Sequence, residues 1–391
     1  MYGTKAVYDI VVVGGGPAGA LAAWAAADRG VSVLLIEKDR EIGVPVRCAE
    51  GIAAATVKKF LDPDPQWVSA KIEGLRLYAP SGESIEFLEE GLGYVLERRV
   101  FDRELANRAA KAGADVWVST CATGLMFDQD RLAGVRMASR GRDMTVRCRL
   151  VIAADGVESR VARWAKLRTM SSLRDLEVCT QYLLHNVAPE KGYCEFFVGE
   201  EIAPGGYAWV FPKGPDTANV GIGICGLYTR KRSSTDYLHE FIARWYPQST
   251  PLAMVVGSVP VGVTLKEIVT DGVMIAGDAA HQVNPVSGGG IGTAMVAGEI
   301  AGRVGAEAIK AGDVSRNRLV RYPQEWEEVY GHYQKRAYRV KEAIHKLKDD
   351  TYNATAALLQ RRNDVRLRDV FLTVLRHQPS LLIDVIRMFR K

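Results

Sequence analysis

The chain of 391 residues is 48% hydrophobic and 25% charged, which is ordinary globular usage, excludes an extended disordered protein and predicts two or three intergrown domains. Its six cysteines lack the close pairs of a disulfide framework or a zinc finger, and no secretory leader or long uncharged apolar run occurs, so we expect a cytoplasmic protein without a metal site. The formal net charge is +5, and the excess of basic residues lies in residues 331–391, which contain 14 lysines and arginines and 6 acidic residues. Because no motif for reading nucleic-acid bases accompanies this basic segment, we expect it to contact an anionic phospholipid surface rather than nucleic acid.

Residues 8–37 predict a strand, a helix and a second strand. The β-branched run at 8–13 suits a strand buried on both faces of a parallel sheet. The alanine-rich stretch at 17–29 predicts a helix, with proline tolerated in its first turn and Gly30 as its stop. A second apolar strand is expected at 32–37.

The turn between the first strand and the helix matches the dinucleotide-binding pattern GxGxxG. Gly14 allows a tight turn, Gly16 allows close approach of a pyrophosphate, and Gly19 allows close packing of helix on strand. Free amides in the first helical turn, that of Ala18 among them, are expected to bind the phosphates. Glu37 ends the second strand about 20 residues further on, where a carboxylate binds ribose hydroxyls. Together these features predict a bound dinucleotide, either NAD or FAD.

The middle of the chain changes to the alternating pattern of antiparallel strands. Strands are predicted at residues 193–197, 207–212 and 219–224. Tyr207, Trp209 and Phe211 alternate along the second of these strands, so their rings share one face of the sheet. Taken alone, such a stripe is more often core than substrate pocket.

Further along, an apolar strand at 273–276 precedes a Gly-Asp turn, and a glycine-rich segment at 284–292 opens an alanine-rich helix over 293–306. Beyond residue 313 the pattern is helical, with aromatic and basic residues over 322–348. The last helix, at 380–390, is apolar with a basic edge. It either contacts a membrane or the mouth of a lipid tunnel, which would make the protein peripherally membrane-associated, or packs on its own domain.

Three segments resemble motifs of the flavin hydroxylase superfamily, and this resemblance implies FAD rather than NAD. The segment from Arg98 resembles an Arg-x-x-Phe-Asp helix start whose arginine reaches the cofactor, and the segment around Asp155 resembles the Asp-Gly motif. Asp278 matches the aspartate of the late Gly-Asp motif, which binds the FAD ribityl chain in that family. The amides of Gly290 and Ile291, at a helix start, are expected beside the flavin pyrimidine edge.

Residues 204–212 resemble the PxxYxWxFP signature of geranylgeranyl reductases, and residues 47–51 resemble the loop that brings a cysteine beside the flavin in that family. The resemblance runs from about residue 8 to the C-terminal helices and fits the archaeal branch, which acts on digeranylgeranylglycerophospholipids. It implies catalytic roles for three residues and further FAD contacts for four. The catalytic residues are Cys48, Tyr207 and Trp209, and the further FAD contacts are Cys48, Ala49, Gly51 and Ala122.

The implied architecture is an α/β fold of the glutathione-reductase/p-hydroxybenzoate-hydroxylase type. A Rossmann-like FAD-binding domain is expected at 1–74, 95–165 and 260–312, an antiparallel-sheet substrate domain at 75–94 and 166–259, and a C-terminal helical domain at 313–391. No second dinucleotide fold is indicated. The flavin is therefore expected to take electrons from an external donor, namely ferredoxin, a reduced deazaflavin or NAD(P)H.

Reduction of an isolated alkene needs a hydride, which reduced flavin N5 would supply, and a proton. Aromatic faces such as those of Tyr207 and Trp209 would exclude water and stabilise the positive charge that develops on carbon. The sequence leaves the proton donor open. Cys48 is a candidate donor or gate, and the competing interpretation is a small buried apolar residue.

Two other functions remain on the same scaffold. An aromatic hydroxylase or halogenase would use reduced flavin with oxygen, but Tyr207 and Phe211 replace the first tryptophan and the isoleucine of the halogenase signature WxWxIP. A prenyl-lipid escort protein without flavin is disfavoured by the intact phosphate glycines and by Glu37, Asp155 and Asp278.

Overall fold

The computed structural model describes residues 7–360, 365 and 367–377. The chain divides into two compact units, each assembled from three separate stretches. Unit 1 comprises Met1–Val46, Arg98–Met170 and Gly262–Lys335, and unit 2 comprises Arg47–Glu97, Ser171–Val261 and Arg336–Lys391. These units are defined by compactness, and the functional domain boundaries expected from the sequence stay a prediction.

The strands of the described residues form two sheets, one in each unit. In chain order they are β1 (Val7–Val13), β2 (Val33–Ile36), β3 (Gly51–Ala53), β4 (Val68–Tyr78), β5 (Ser84–Leu96), β6 (Asp115–Trp117), β7 (Thr120–Asp128), β8 (Arg131–Ser139), β9 (Arg142–Ala153), β10 (Leu176–His185), β11 (Tyr193–Phe197), β12 (Tyr207–Pro212), β13 (Thr217–Cys225), β14 (Thr250–Pro260), β15 (Val269–Thr270) and β16 (Val273–Ile275).

The helices of the described residues are α1 (Pro17–Ala27), α2 (Ala54–Val57), α3 (Arg98–Lys111), α4 (Arg160–Trp164), α5 (Ser234–Trp245), α6 (Ile291–Lys310), α7 (Arg316–Leu319), α8 (Arg321–Trp326), α9 (His332–Ile344), α10 (Asp349–Leu359) and α11 (Leu367–His377). A π-helical turn, Glu327–Gly331, follows α8. None of the helices in this described part combines the length and apolar character that crossing a membrane requires. The helix predicted at 380–390 lies outside the described residues.

The sheet of unit 1 has a parallel core in the order β16-β9-β1-β2-β6, with β15 antiparallel at one edge and β7 and β8 joined to β9 as antiparallel strands. Residues 10–12 of β1, residues 34–36 of β2 and residues 150–153 of β9 are completely buried. Burial on both faces explains why these strands read as continuous apolar runs. The dinucleotide-type βαβ start expected from the sequence is present, with α1 ending two residues earlier than predicted because Gly30 adopts a left-handed φ of +75°.

Helices α1 and α6 pack closely because α6 presents glycines to the backbone of α1. A Cβ on Gly298 would lie 2.1 Å from the carbonyl oxygen of Ala18, and one on Gly302 would lie 2.2 Å from that of Ala22. Such distances are far inside van der Waals contact, so only glycine fits at these two positions. The first helix of the chain is thus held by a helix that begins 274 residues after it.

The sheet of unit 2 has the strand order β14-β10-β13-β12-β11-β4-β5-β3. The antiparallel pairing predicted for the three central strands is confirmed, while β11 pairs with β4 in parallel. Helix α5 covers one face of this sheet, where Leu238 and Phe241 pack on the buried side chains of Ala208, Val210 and Phe197. Because side chains alternate along a strand, Tyr207, Trp209 and Phe211 lie on the opposite face.

The described part of the chain beyond residue 313 is helical as predicted, and its aromatic and basic segment at 322–348 contains a break. The π-helical turn separates α8 from α9, and at its end a Cβ on Gly331 would lie 2.3 Å from the Glu327 carboxylate. Glu327 also accepts a hydrogen bond from Lys335 at 2.6 Å and lies 2.9 Å from His332. The absence of a side chain at Gly331 therefore makes room for this charged cluster, and aromatic and basic composition alone does not reveal the break.

Candidate functional site

The glycine turn after β1 allows close backbone approach. Gly14 has a φ of +105°, and a Cβ there would lie 2.3 Å from the carbonyl oxygen of Ala154. A Cβ on Gly19 would lie 1.9 Å from the carbonyl oxygen of Gly14, whereas one on Gly16 would meet no described atom within 4 Å. Ala18 follows in the first turn of α1, where no side chain caps the free amides. The turn thus borders open space on the side of Gly16, as a phosphate-binding turn requires.

The carboxylate of Glu37 is fixed beside this turn, just after β2. Its Oε2 accepts a hydrogen bond of 2.7 Å from the Gly15 amide, and its Oε1 accepts one of 2.9 Å from the Asp39 amide. Each carboxylate oxygen can accept a second hydrogen bond. The position fits the ribose-binding role expected for Glu37, which stays a prediction.

Arg98 begins α3 and is held by a buried partner within the same helix. Its guanidinium donates two hydrogen bonds of 2.7 Å, from Nε and Nη2, to the two carboxylate oxygens of Asp102. Asp102 is buried, so this bidentate pair fixes the direction of the arginine. The Arg-x-x-Phe-Asp spacing therefore supplies both the arginine and its orienting carboxylate, and the second role was missed from the sequence.

Two further carboxyl groups of unit 1 belong to half-buried residues and have spare acceptor capacity. Oδ1 of Asp155 is buried and has no hydrogen-bond partner among the described residues, while Oδ2 accepts from the Val161 amide at 2.9 Å. Burial raises the pKa of Asp155, and burial likewise raises the pKa of Asp278, an effect that Arg98 partly opposes. An unsatisfied buried acceptor calls for a donor. The hydroxyl groups of a dinucleotide cofactor are donors of this kind, so these residues fit FAD.

The N-terminus of α6 lies beside Asp278. Gly290 occupies the N-cap position, Ile291 begins the helix, and neither a side-chain cap nor an acidic residue is present in the first turn. A Cβ on Gly290 would lie 3.2 Å from Asp278 Oδ1, so glycine keeps the space next to that carboxyl open. Ala122, the last predicted cofactor contact in unit 1, is buried in β7 next to a shift in its pairing with β8.

The remaining predicted residues lie in unit 2, where the loop at 47–51 is anchored by buried polar groups. Glu50 has a left-handed φ of +75°. Its carboxylate accepts a hydrogen bond of 2.7 Å from Asn219 Nδ2 and forms an ion pair with Lys213 Nζ at 2.8 Å. Asn219 also donates to the carbonyl oxygen of Ala49 at 3.3 Å. Because Glu50 and Lys213 are both almost completely buried, this ion pair holds the loop in one conformation.

Gln181 connects this loop to the aromatic strand. Its Nε2 donates to the carbonyl oxygen of Cys48 at 3.0 Å, and its Oε1 accepts from Trp209 Nε1 at 3.0 Å. The Cys48 thiol, which is partly exposed, accepts a hydrogen bond of 3.2 Å from the Glu50 amide. The three residues predicted to be catalytic are thus drawn together in one unit, since Tyr207 neighbours Trp209 with ring centroids 5.9 Å apart.

The aromatic face is continued by Phe196 of β11. Its ring lies edge-on to those of Tyr207 and Phe211, with centroids 5.4 Å away in both cases. Gly51 packs against the same group, because a Cβ there would lie 2.8 Å from the Phe211 ring. Together with Trp209 these rings form the aromatic cluster of unit 2, defined here as Phe196, Tyr207, Trp209 and Phe211.

Glycines on the neighbouring strand β13 make room beside this cluster. Gly221 pairs with Trp209 and Gly223 pairs with Tyr207. A Cβ on Gly221 would lie 2.4 Å from the Trp209 indole, so the ring covers the glycine directly. A Cβ on Gly223 would lie 3.1 Å from Glu177 Oε2, 3.2 Å from Cys179 Sγ and 3.7 Å from Trp209 Cζ3. Side chains of two strands, β10 and β12, therefore converge over Gly223.

The residues that sequence reasoning missed are polar groups that support or adjoin the aromatic cluster. They are Glu50, Glu177, Gln181, Lys213 and Asn219. A partial signal was available, because Glu177 and Gln181 are polar residues four positions apart on one face of β10. Lys213 directly follows the PxxYxWxFP pattern.

Comparison with known proteins finds a matching family for each of two consecutive parts of the chain. Residues 9–171 match the family model described as FAD dependent oxidoreductase, and residues 175–259 match the family model described as geranylgeranyl reductase catalytic domain. The α/β flavoprotein fold and the two resemblances expected from the motifs are confirmed by these matches.

Full-length relatives show the same likeness. The digeranylgeranylglycerophospholipid reductase of Methanocella arvoryzae is 43% identical over 98% of this chain and 99% of its own length. That of Methanosarcina acetivorans is 44% identical over 99% of this chain and 97% of its own. A crystal structure described as geranylgeranyl bacteriochlorophyll reductase-like, from Thermoplasma acidophilum, is 35% identical with a TM-score of 0.92 over 98% of this chain and 99% of that one.

Proposed function

Since the chain belongs to the digeranylgeranylglycerophospholipid reductase family, we propose that it is an FAD-dependent reductase that saturates the C=C bonds of geranylgeranyl chains in archaeal-type membrane phospholipids. The observation that carries this proposal is the aromatic cluster on one face of the unit 2 sheet, joined through Gln181 to the Cys48 loop. An apolar chain binds a face of this kind through its rings.

The residues of unit 1 described above would hold FAD. The glycine turn and the start of α1 suit the pyrophosphate, Glu37 suits a ribose, and Asp155, Asp278 and Arg98 suit the hydroxyl-bearing chain and its surroundings. In its reduced form, bound FAD supplies the hydride for the alkene. The contacts of Ala49, Gly51, Ala122, Gly290 and Ile291 with the cofactor are part of the same proposal.

The aromatic cluster would bind the polyprenyl chain and keep water away from the reacting carbons. Trp209 is 7% exposed and its indole N–H is already bound to Gln181, so the ring offers its π face rather than a polar edge. A ring face stabilises positive charge by about 0.5–2 kcal/mol. Tyr207 and Trp209 are therefore proposed to stabilise the tertiary carbon on which charge develops.

Cys48 is proposed to act at the same site as a gate or proton donor. The Cys48 carbonyl accepts a hydrogen bond from Gln181, and the Cys48 thiol accepts one from the Glu50 amide. These two bonds fix the position of the sulfur within the anchored loop. An external electron donor (ferredoxin, a reduced deazaflavin or NAD(P)H) and a peripheral contact with the membrane that contains the substrate complete the proposal.

The proposal is tested with purified protein and its bound flavin. We expect an oxidised flavin spectrum and, after anaerobic reduction with dithionite, reoxidation of the flavin as a geranylgeranyl phospholipid gains hydrogen in steps of two atoms by mass spectrometry. An oxygenated product formed only in air would instead identify a hydroxylase. Tight lipid binding by protein that never retains flavin would identify an escort protein.

A further inference from the structure

A buried carboxyl group that no motif includes lies beside the aromatic cluster. Glu177, Cys179 and Gln181 alternate along β10, so their side chains share one face of the sheet. Gln181 accepts a hydrogen bond from Trp209 and donates one to the Cys48 carbonyl, which identifies this face as the one that carries the cluster. The position that a Gly223 Cβ would occupy lies 3.1 Å from Glu177 Oε2 and 3.7 Å from Trp209 Cζ3, so both atoms adjoin the same point above the sheet and lie within about 7 Å of each other.

The carboxyl group of Glu177 lacks the partner that its burial would normally require. The residue is 5% exposed, and burial and the charge of Lys341 are the influences on its pKa, with no side-chain hydrogen bond from the described residues among them. Buried carboxyl groups in folded proteins are normally paired or hydrogen-bonded, as Glu50 and Glu195 are in this sheet. A buried acid left without a structural partner, next to the proposed binding face for an alkene, is placed to act on a ligand.

We propose that Glu177 is the general acid that protonates the alkene. The inference rests on the proposed function and specifies its undefined proton donor. The O–H bond of Glu177 breaks, and the proton bonds to the less substituted alkene carbon with the electron pair of the C=C bond. The tertiary carbon then receives the hydride that reduced flavin supplies, so one saturated bond forms and the flavin is oxidised. Glu177 is left as a carboxylate and regains its proton from solvent before the next turnover.

The acidity of the surrounding groups supports this assignment. Burial raises the pKa of Glu177 to about 7, opposed in part by Lys341 of α9, so a large fraction of the group is protonated near neutral pH. Burial, with Glu177 as the next contributor, raises the pKa of Cys179 and of Tyr207 well above their usual values. The thiol and the phenol are therefore much weaker acids than the carboxyl group, and Glu177 is the strongest acid of the three.

Other titratable groups face Glu177 from the elements packed around it. Lys341 is buried and donates to Asp175 at 3.0 Å, and Glu342 lies 3.5 Å from its Nζ, so its charge is shared. Cys225 of β13 pairs directly with Glu177 in the sheet register and is a neutral thiol with a raised pKa. Asp175 thus partly neutralises the positive charge of Lys341 that opposes the rise in the pKa of Glu177.

The first test is the pH dependence of lipid reduction in single turnovers of the dithionite-reduced holoenzyme. For the wild type we expect the rate of flavin reoxidation by a geranylgeranyl phospholipid to fall tenfold per pH unit as the pH rises above about 7. Glu177→Gln, which keeps the shape but cannot donate, should lower the rate by at least about 100-fold and abolish that dependence. Glu177→Asp should recover part of the rate.

The matched control is Glu195→Gln. Glu195 is a buried glutamate of β11 whose carboxylate accepts from Tyr78 at 2.9 Å, and its neighbour Phe196 belongs to the aromatic cluster, so Glu195 lies on the opposite face. This variant should keep the wild-type rate and pH profile. Cys48→Ala should retain the decline above about pH 7 even if its rate is lower, whereas loss of that decline in Cys48→Ala with its persistence in Glu177→Gln would transfer the proton donor to the thiol.

A second readout needs neither flavin nor turnover. Infrared difference spectra of the flavin-free protein, recorded across the pH range, should contain a protonated carboxyl band that disappears near pH 7 and is missing from Glu177→Gln but present in Glu195→Gln. If wild-type protein reduces the lipid and Glu177→Gln does so equally fast, the inference about Glu177 is wrong and the proposed function stands. If wild-type protein does not reduce the lipid at all, the proposed function itself fails.

Discussion

The side-chain amide of Gln181 lies between Trp209 and the Cys48 loop, accepting from the indole and donating to the loop carbonyl, each at 3.0 Å. One buried residue thus fixes both the tryptophan of the aromatic cluster and the loop that carries the cysteine. Replacing it with Met keeps the volume but leaves the indole N–H and the carbonyl unpaired. We expect a loss of about 1–3 kcal/mol of unfolding free energy per unpaired group and slower lipid reduction, with the FAD content unchanged.

A double-mutant cycle with Trp209→Phe checks that cause, with stability measured by urea unfolding. Because Phe has no indole N–H to leave unpaired, the double variant should be destabilised by less than the sum of the single variants. Additive effects would show that Gln181 and Trp209 do not depend on each other.

Trp209 itself should be needed for the reaction but not for the cofactor. Trp209→Ala removes a ring that covers Gly221 in unit 2, while the residues proposed to hold FAD are mostly in unit 1. We expect a lower rate of lipid reduction with an undiminished flavin absorbance per protein, measured on the same preparation. Simultaneous loss of FAD would mean that the tryptophan acts as scaffold.

Gly16 and Gly14 should respond differently to alanine. A Cβ on Gly16 meets no described atom within 4 Å, and the residue has an ordinary φ of −71°, so Gly16→Ala should leave the thermal midpoint of the flavin-free protein unchanged but weaken FAD binding. Gly14→Ala places a Cβ 2.3 Å from a carbonyl oxygen at a φ of +105° and should lower that midpoint. Equal FAD affinity in Gly16→Ala and wild type, measured by fluorescence titration, would place the pyrophosphate elsewhere.

Removing one member of the buried ion pair between Lys213 and Glu50 should strongly reduce the stability of the protein. Lys213→Met leaves the Glu50 carboxylate buried without its cation, and we expect a loss of about 3–5 kcal/mol in urea unfolding. Adding Glu50→Gln removes the uncompensated charge and should restore part of that loss. Lys348→Met serves as the control, since its pair with Glu200 is exposed at the surface, and it should leave the unfolding midpoint nearly unchanged.

Stability should also depend on the protonation of Glu177. Its pKa is about 7 in the folded protein, against the ordinary glutamate value of 4.5 for the unfolded chain, so the folded state binds the proton more tightly and stability falls as the pH rises from about 4.5 to about 7. The difference corresponds to about 3 kcal/mol at most. Glu177→Gln lacks this penalty, and its stability relative to wild type should increase by a comparable amount between about pH 5 and pH 8. A pH-independent difference in urea unfolding would contradict the raised pKa.

Local sequence patterns were sufficient for the dinucleotide turn and for the aromatic face. Gly14, Gly16 and Gly19 with Glu37 form a motif within one βαβ unit, and Tyr207, Trp209 and Phe211 alternate within one strand. Both patterns depend on neighbours in the chain, which fix their geometry through the periods of helix and strand.

The polar support of the site depended instead on pairings between distant strands. Gln181 meets Trp209 only because β10 and β12 both pair with β13, where Gly221 lies between them. A shift of one residue in either register would direct Gln181 to the other face. Glu177 was overlooked for the same reason, since its proximity to the indole follows from Gly223 on a third strand.

The assembly of unit 1 from three stretches has a consequence for biosynthesis. The βαβ unit is synthesised before the elements that complete it, because its sheet includes β16 and its helix α1 packs against α6, both more than 250 residues later in the chain. Unit 1 therefore remains incompletely folded until most of the chain has been translated. Fragments that stop before α6 are expected to aggregate rather than yield an independent nucleotide-binding domain.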